Sequence, residues 1–152
     1  MAENKGLMVQ KIENGIVIDH IPKMASSRIV RMLHLHDRFE FYNGINCRSN
    51  KLGRKDFIKI VKGDLSNEEL NKIAMVAPGA TVMRIKGFEI VEKIPITISD
   101  EIKNLVKCPN TGCITNQEPY KKTHFIKLSD KPLKIKCRFC ERTFKEGEFE
   151  FL

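Results

Sequence analysis

Four cysteines in the last third of the chain constrain its folding more tightly than any other feature. Cys108 and Cys113 stand as C-x4-C and Cys137 and Cys140 as C-x2-C, with 23 residues between the pairs. Two thiolates on one tight loop reach the same ion, and two such loops complete a tetrahedron. Pro109 and Gly112 suit the sharp backbone of such a loop. Disulfides would need an oxidising compartment. The opening Met1-Ala2-Glu3-Asn4-Lys5-Gly6 shows no long apolar stretch or cleavage pattern, so a cytoplasmic chain with reduced thiols is expected. Four sulfur ligands leave no position for water or substrate, so the expected cofactor is one structural Zn²⁺. His124 is not needed as a ligand.

The fifth cysteine, Cys47, stands alone and reads as a buried thiol rather than a nucleophile. One cysteine before residue 98 and four after it mark a boundary, giving domains 1–97 and 98–152. Pro95 makes Ile94-Pro95-Ile96-Thr97-Ile98 an extended connector. Ser99, with Asp100 and Glu101, then reads as the cap of a short helix through Val106. In the second domain, alternating segments 123–128 and 133–137 flank the turn Ser129-Asp130-Lys131-Pro132, and Phe144, Phe149 and Phe151 supply bulk for a later hairpin. A small all-β, zinc-ribbon-like domain is expected.

The first domain alternates strand and helix signals. Residues 7–12 and 16–21 read as strands turned at Asn14-Gly15, and Pro22 closes the second. A helix over 25–35 carries Ala25, Ile29, Met32 and Leu33 on one face. Strands follow over 38–46 and 56–61. Ser66 and Glu69 form a capping box for a helix presenting Leu70, Ile73, Ala74 and Ala77, which Pro78-Gly79 ends. Strands 81–86 and 88–94 turn at Gly87. The class is α+β, an antiparallel sheet with two helices on one face in a ferredoxin-like sandwich.

The hydrophobic fraction of 41% permits a core, and no run approaches the roughly 18 apolar residues of a membrane span. The net charge of +8 is dispersed: 16 basic residues face 11 acidic ones in 1–97, and 11 face 8 in 98–152. This suits a polyphosphate site as well as a nucleic-acid binder.

Several blocks resemble the regulatory chain of aspartate carbamoyltransferase. They are Val17-Ile18-Asp19-His20-Ile21-Pro22, Gly53-Arg54-Lys55-Asp56-Phe57-Ile58-Lys59-Ile60, and Ala77-Pro78-Gly79-Ala80-Thr81-Val82 with Arg84-Ile85. In the second domain they are Cys108-Pro109-Asn110, Cys113-Ile114, Glu118-Pro119, Cys137 and Cys140-Glu141. They keep family order over almost the whole chain. The resemblance implies a non-catalytic regulatory subunit in pyrimidine biosynthesis. Its first domain would bind the effectors CTP, UTP and ATP and pair with its twin in a regulatory dimer, and its zinc domain would dock on the catalytic chain.

By the same resemblance Asp19 is similar to the ribose ligand and Lys59 to the lysine meeting ribose and base. His20 and Lys93 would face the phosphates, with Lys5 a further cation. Val9, Ile12, Phe88 and Ile90 would line the base pocket. Asn110, Arg138, Glu141 and Arg142 match contacts to the catalytic chain. Met83, Val61, Gln10 and Gly112 depart from better-known members. Taken alone, Asp19 and His20 could simply close a strand, and Lys59 and Lys93 could be solvated. The rival class is a zinc-ribbon nucleic-acid-binding protein; the expectation here is no nucleic acid, no membrane and no catalytic residues.

Overall fold

A computed structural model describes residues 10–50, 52–117 and 122–152. These fall into two compact units divided between Thr97 and Ile98.

The first unit runs β1 (Asn14–Pro22), α1 (Ser26–Met32), a 3₁₀ turn (Leu35–Asp37), β2 (Glu40–Ser49), β3 (Gly53–Val61), α2 (Asn67–Val76), β4 (Thr81–Lys86) and β5 (Glu89–Ile94). The sheet order is β2-β3-β1-β4-β5, and each neighbouring pair is antiparallel. The first four strands give the ferredoxin-like arrangement, and β5 adds a hairpin at the β4 edge. Ile16 and Ile18 of β1, Ile58 and Ile60 of β3 and Val82 of β4 form the sheet's buried side. Against them pack Ile29, Val30 and Leu33 around α1 and Leu70, Ile73 and Ala77 around α2. Strand alternation therefore sends Val17, Asp19, Lys55, Lys59 and Met83 to the opposite face.

Ser66 caps α2 as expected, accepting from the Glu69 N–H while the Glu69 carboxylate accepts from the Ser66 N–H. The Asn14-Gly15 hairpin does not form. Gly15 lies inside the sheet, opposite both Val61 and Ile85, at φ 142°. A Cβ there would stand 1.9 Å from the Ile60 carbonyl oxygen, so glycine is required by close backbone approach rather than by a turn. Of the expected strand over 7–12, residues 7–9 lie outside the described residues, and 10–12 are not in a strand. Cys47 lies on β2, which runs past the expected end at 46, and is half-buried rather than buried.

The second unit runs β6 (Glu101–Lys103), β7 (Val106–Lys107), α3 (Ile114–Gln117), β8 (His124–Asp130), β9 (Leu133–Cys137), β10 (Thr143–Lys145) and β11 (Glu150–Phe151). The sheets are β10-β9-β8-β6 and β11-β7. The helix expected from Ser99 to Val106 is absent: β6 pairs with β8, and β7 pairs with β11 more than forty residues on. Ile102, Leu105 and Val106 are buried by those pairings, and tertiary packing overrides the local cap signal.

Candidate effector cleft and metal centre

On the open face of the first sheet, Lys11, Ile12, Val17, Asp19, Lys59, Met83, Ile85, Phe88, Glu89 and Ile90 line a cleft of about 460 Å³. Of the residues expected to bind an effector, it gathers Ile12, Asp19, Lys59, Phe88 and Ile90. His20 and Lys93 are not in its lining. His20 follows Asp19 and pairs its Nδ1 with Thr81 Oγ1 at 3.1 Å, and Lys93 lies opposite Met83 in the β4–β5 register. Val9 and Lys5 lie outside the described residues. Met83 lines the cleft itself, whereas Gln10 and Val61 line a neighbouring hollow of about 420 Å³ with Glu13, Glu40 and Tyr42.

The polar groups are held by one another. Lys55 Nζ lies 2.6 Å from Asp19 Oδ1, which also accepts the His20 N–H at 2.7 Å. Burial works against the Asp19 charge, but these two donors outweigh it and hold the carboxyl below its usual range. Lys59 Nζ donates to the Gln10 carbonyl at 3.1 Å. Burial, opposed by Asp19 and reinforced by Lys11 and Lys55, lowers the Lys59 pKa. Lys11, Lys55 and Lys59 thus surround the Asp19 carboxylate, with Glu89 a second acid in the lining. Lys55 was missed in the sequence, although it lies within a quoted block and shares its strand face with Lys59.

In the second unit the Sγ atoms of Cys108, Cys113, Cys137 and Cys140 lie within 4.8 Å of one another. The approaches are 3.7 Å for Cys108–Cys140 and 3.8 Å for Cys113–Cys137. A disulfide needs about 2.05 Å, so these are free thiols gathered at one point. Burial pushes the Cys108 and Cys137 thiols up. At Cys140 burial is outweighed, first by the Arg142 backbone N–H and then by Asn110, and the thiol falls to about 7. A shared cation would let all four ionise together, which is the chemistry this donor set fits.

The surrounding loops hold the sulfurs in place. Asn116 Nδ2, on α3, donates to the Cys108 and Asn110 carbonyls at 2.8 Å each. The Cys113 N–H donates to the Asn110 carbonyl, and the Glu141 N–H to that of Cys137, both at 2.9 Å. Asn110 Oδ1 accepts the Gly112 N–H at 3.1 Å. Arg138, Glu141 and Arg142 are exposed on the second loop. Phe139 (46%) on the same loop and Ile114 (42%) at the start of α3 are exposed too, apolar residues that the sequence reading did not assign to a surface.

A cleft lined by apolar and charged groups in one unit and four gathered thiols fit for a metal in the other suit a binding chain. Comparison with known proteins gives that class a family. Residues 7–97 match the family model "aspartate carbamoyltransferase regulatory chain, allosteric domain", and residues 100–150 match its metal binding domain. The aspartate carbamoyltransferase regulatory chain of Thermococcus sibiricus is 46% identical over 143 residues, 94% of this chain and 95% of the relative. That of Pyrococcus abyssi is 43% identical over 148 residues (93% and 95%), and that of Methanopyrus kandleri 40% over 149 (96% and 95%). The chain belongs to the family of aspartate carbamoyltransferase regulatory chains, which are regulatory rather than catalytic.

Proposed function

We propose that the first unit binds nucleoside triphosphates, CTP, UTP and ATP, and that the second, folded around Zn²⁺, docks on the catalytic chain of aspartate carbamoyltransferase and passes the effector signal to it. The observation that carries this reading is the convergence of Asp19, Lys59, Ile12, Phe88 and Ile90 on one cleft of nucleotide size. Ile12, Phe88 and Ile90 offer apolar surface to a base, Asp19 accepts from ribose hydroxyls, and Lys59 meets ribose and base. His20 and Lys93 adjoin the cleft through Asp19 and Met83 and suit the phosphates.

The zinc assignment is supported by the sulfur geometry. A tetrahedron with Zn–S of about 2.3 Å has edges of roughly 3.8 Å, which the approaches of 3.7 and 3.8 Å resemble. The ligands are Cys108, Cys113, Cys137 and Cys140. Asn110, Arg138, Glu141 and Arg142 form the docking surface around them. Self-association through the first unit is supported by β2, a ten-residue edge strand exposing Tyr42 and Ile45. Free thiols fit a reduced cytoplasm. Transmission needs the effector to bind two quaternary states unequally, by about 1–3 kcal/mol.

Calorimetric titration of the zinc-loaded chain, alone and with the catalytic chain, tests the sensor. Saturable CTP and ATP binding is expected, weakened about tenfold or more by Asp19→Ala with circular dichroism unchanged. Absence of binding in both settings overturns it.

A further inference from the structure

The outer face of the second unit's larger sheet carries charges that neither the cleft nor the metal centre uses. On β9 the buried residues are Leu133, Ile135 and Cys137, which turns Lys134 and Lys136 outward. β10 presents Thr143 and Lys145 on that same side, and the register sets Lys145 directly opposite Lys134 and Thr143 opposite Lys136. Directly opposed side chains in an antiparallel pair start about 5 Å apart, and same-face neighbours along a strand about 7 Å. Three ammonium groups therefore share one small patch, and like charges set opposite each other weaken a sheet.

Among the described residues none of these three lysines forms an ion pair, and the acids on β6 and β8 face other cations. Glu101 lies 3.8 Å from Arg138, and Asp130 pairs with Lys127 at 3.0 Å. Glu148 turns its carboxylate to the Lys145 backbone N–H at 3.2 Å. Three like charges gathered without an ion pair suit an anionic partner.

We propose that Lys134, Lys136 and Lys145 form a second contact surface, for carboxylate side chains on the catalytic chain, extending the docking surface at the metal loops. This rests on the docking reading above. The lysine face is continuous with that surface, because β9 runs into Cys137 and Arg138 and β10 begins beside Arg142. Nucleic acid is the other common polyanion, but single strands are gripped by stacking on exposed aromatic rings. Here Phe125 and Phe144 pack edge to face on the inner side, 6.4 Å between centroids, and the outer face offers Ile126 and Thr143; the exposed ring nearby, Phe139, stands alone on the metal loop rather than in a row along the sheet.

The test uses the full metal-loaded chain and purified catalytic chain, with association rates followed over roughly 50 to 300 mM salt, where the screening length falls below the patch size. The double variant Lys134→Glu with Lys136→Glu is expected to associate about tenfold more slowly and with a flatter salt dependence. Its CTP affinity should be unchanged. Its metal domain should melt no earlier than wild type, since Lys134→Glu places a carboxylate opposite Lys145. Wild-type rates and salt dependence in the variant, while Arg142→Glu still impairs docking, overturn the lysine face alone. Failure of the wild-type chain to associate overturns the docking reading and this surface with it. Binding of a uridine homopolymer that the variant abolishes, with docking unaffected, overturns the protein assignment in favour of nucleic acid.

Discussion

Asp56 takes a carboxylate into the interior of the first unit and uses it to join three segments that the chain places far apart. Fully buried on β3, it accepts the Ser26 N–H at 3.0 Å and the Ser26 hydroxyl at 2.7 Å from the start of α1, and the Asn46 N–H at 2.8 Å from the β2 bulge. Burial raises its pKa, but the Asn46 N–H and the Ser26 hydroxyl, with further backbone donors, outweigh it and hold the carboxyl below its ordinary range. A depressed folded pKa means that its stabilisation is complete above the unfolded value, about 3.9, and is lost as pH falls through the folded one. Asp56→Ala leaves buried donors unsatisfied and should cost on the order of 3 kcal/mol at neutral pH. Asp56→Asn should remove part of the acid sensitivity below about pH 4. Amide hydrogen exchange on β1 and β3, which reports the first unit by itself, measures both. Equal protection in Asp56→Ala and wild type would sink the role assigned to this carboxylate.

Among the elements, α2 is specified by local chemistry. The Ser66–Glu69 capping box closes its N-terminus, and Arg38 pairs with the same Glu69 carboxylate. Ser66→Ala should lower the first unit's stability by about 1 kcal/mol, read by thermal unfolding, and an unchanged melting temperature would show the cap to be redundant. Such features were legible in the sequence because they reside in four neighbouring residues. The strands holding Ile58, Ile60 and Val82 were legible from short local runs too, as were the two close-spaced cysteine pairs. Three other features were not. Gly15 carries a turn signal, yet it is demanded by the Ile60 backbone of a strand some 45 residues on. Ser99-Asp100-Glu101 carries a helix signal, yet the segment after it is claimed by β8 and β11. The Lys55–Asp19 pair spans 36 positions and becomes visible only once β1 and β3 are adjacent. Local signals name an element's type; its partners decide whether that type survives.

At the scale of the whole chain, the two units rest on different sources of stability. The first closes a sheet of five strands and two helices over a contiguous aliphatic core. The second has fifty-odd residues, sheets of four and two short strands, and an interior in which Cys108, Cys113 and Cys137 stand among Ile102, Leu105, Val106, Phe125, Leu133 and Ile135. A domain this small is marginal unaided, and four-thiolate zinc binding can contribute on the order of 10 kcal/mol. Metal removal by a chelator should therefore unfold residues 98–152 and leave the first unit folded. Its release should become easier as pH falls, since protons compete with the metal for the thiolates. Amide exchange is expected to become fast on β8 and β9 while β1 and β3 keep their protection, with zinc restoring the former. On the docking reading, the chelated chain loses the catalytic chain but still binds CTP. Simultaneous loss of protection in both units would show one cooperative structure and end the division of labour argued from the cysteines; retained protection on β8 and β9 would show that the small sheet stands without its metal.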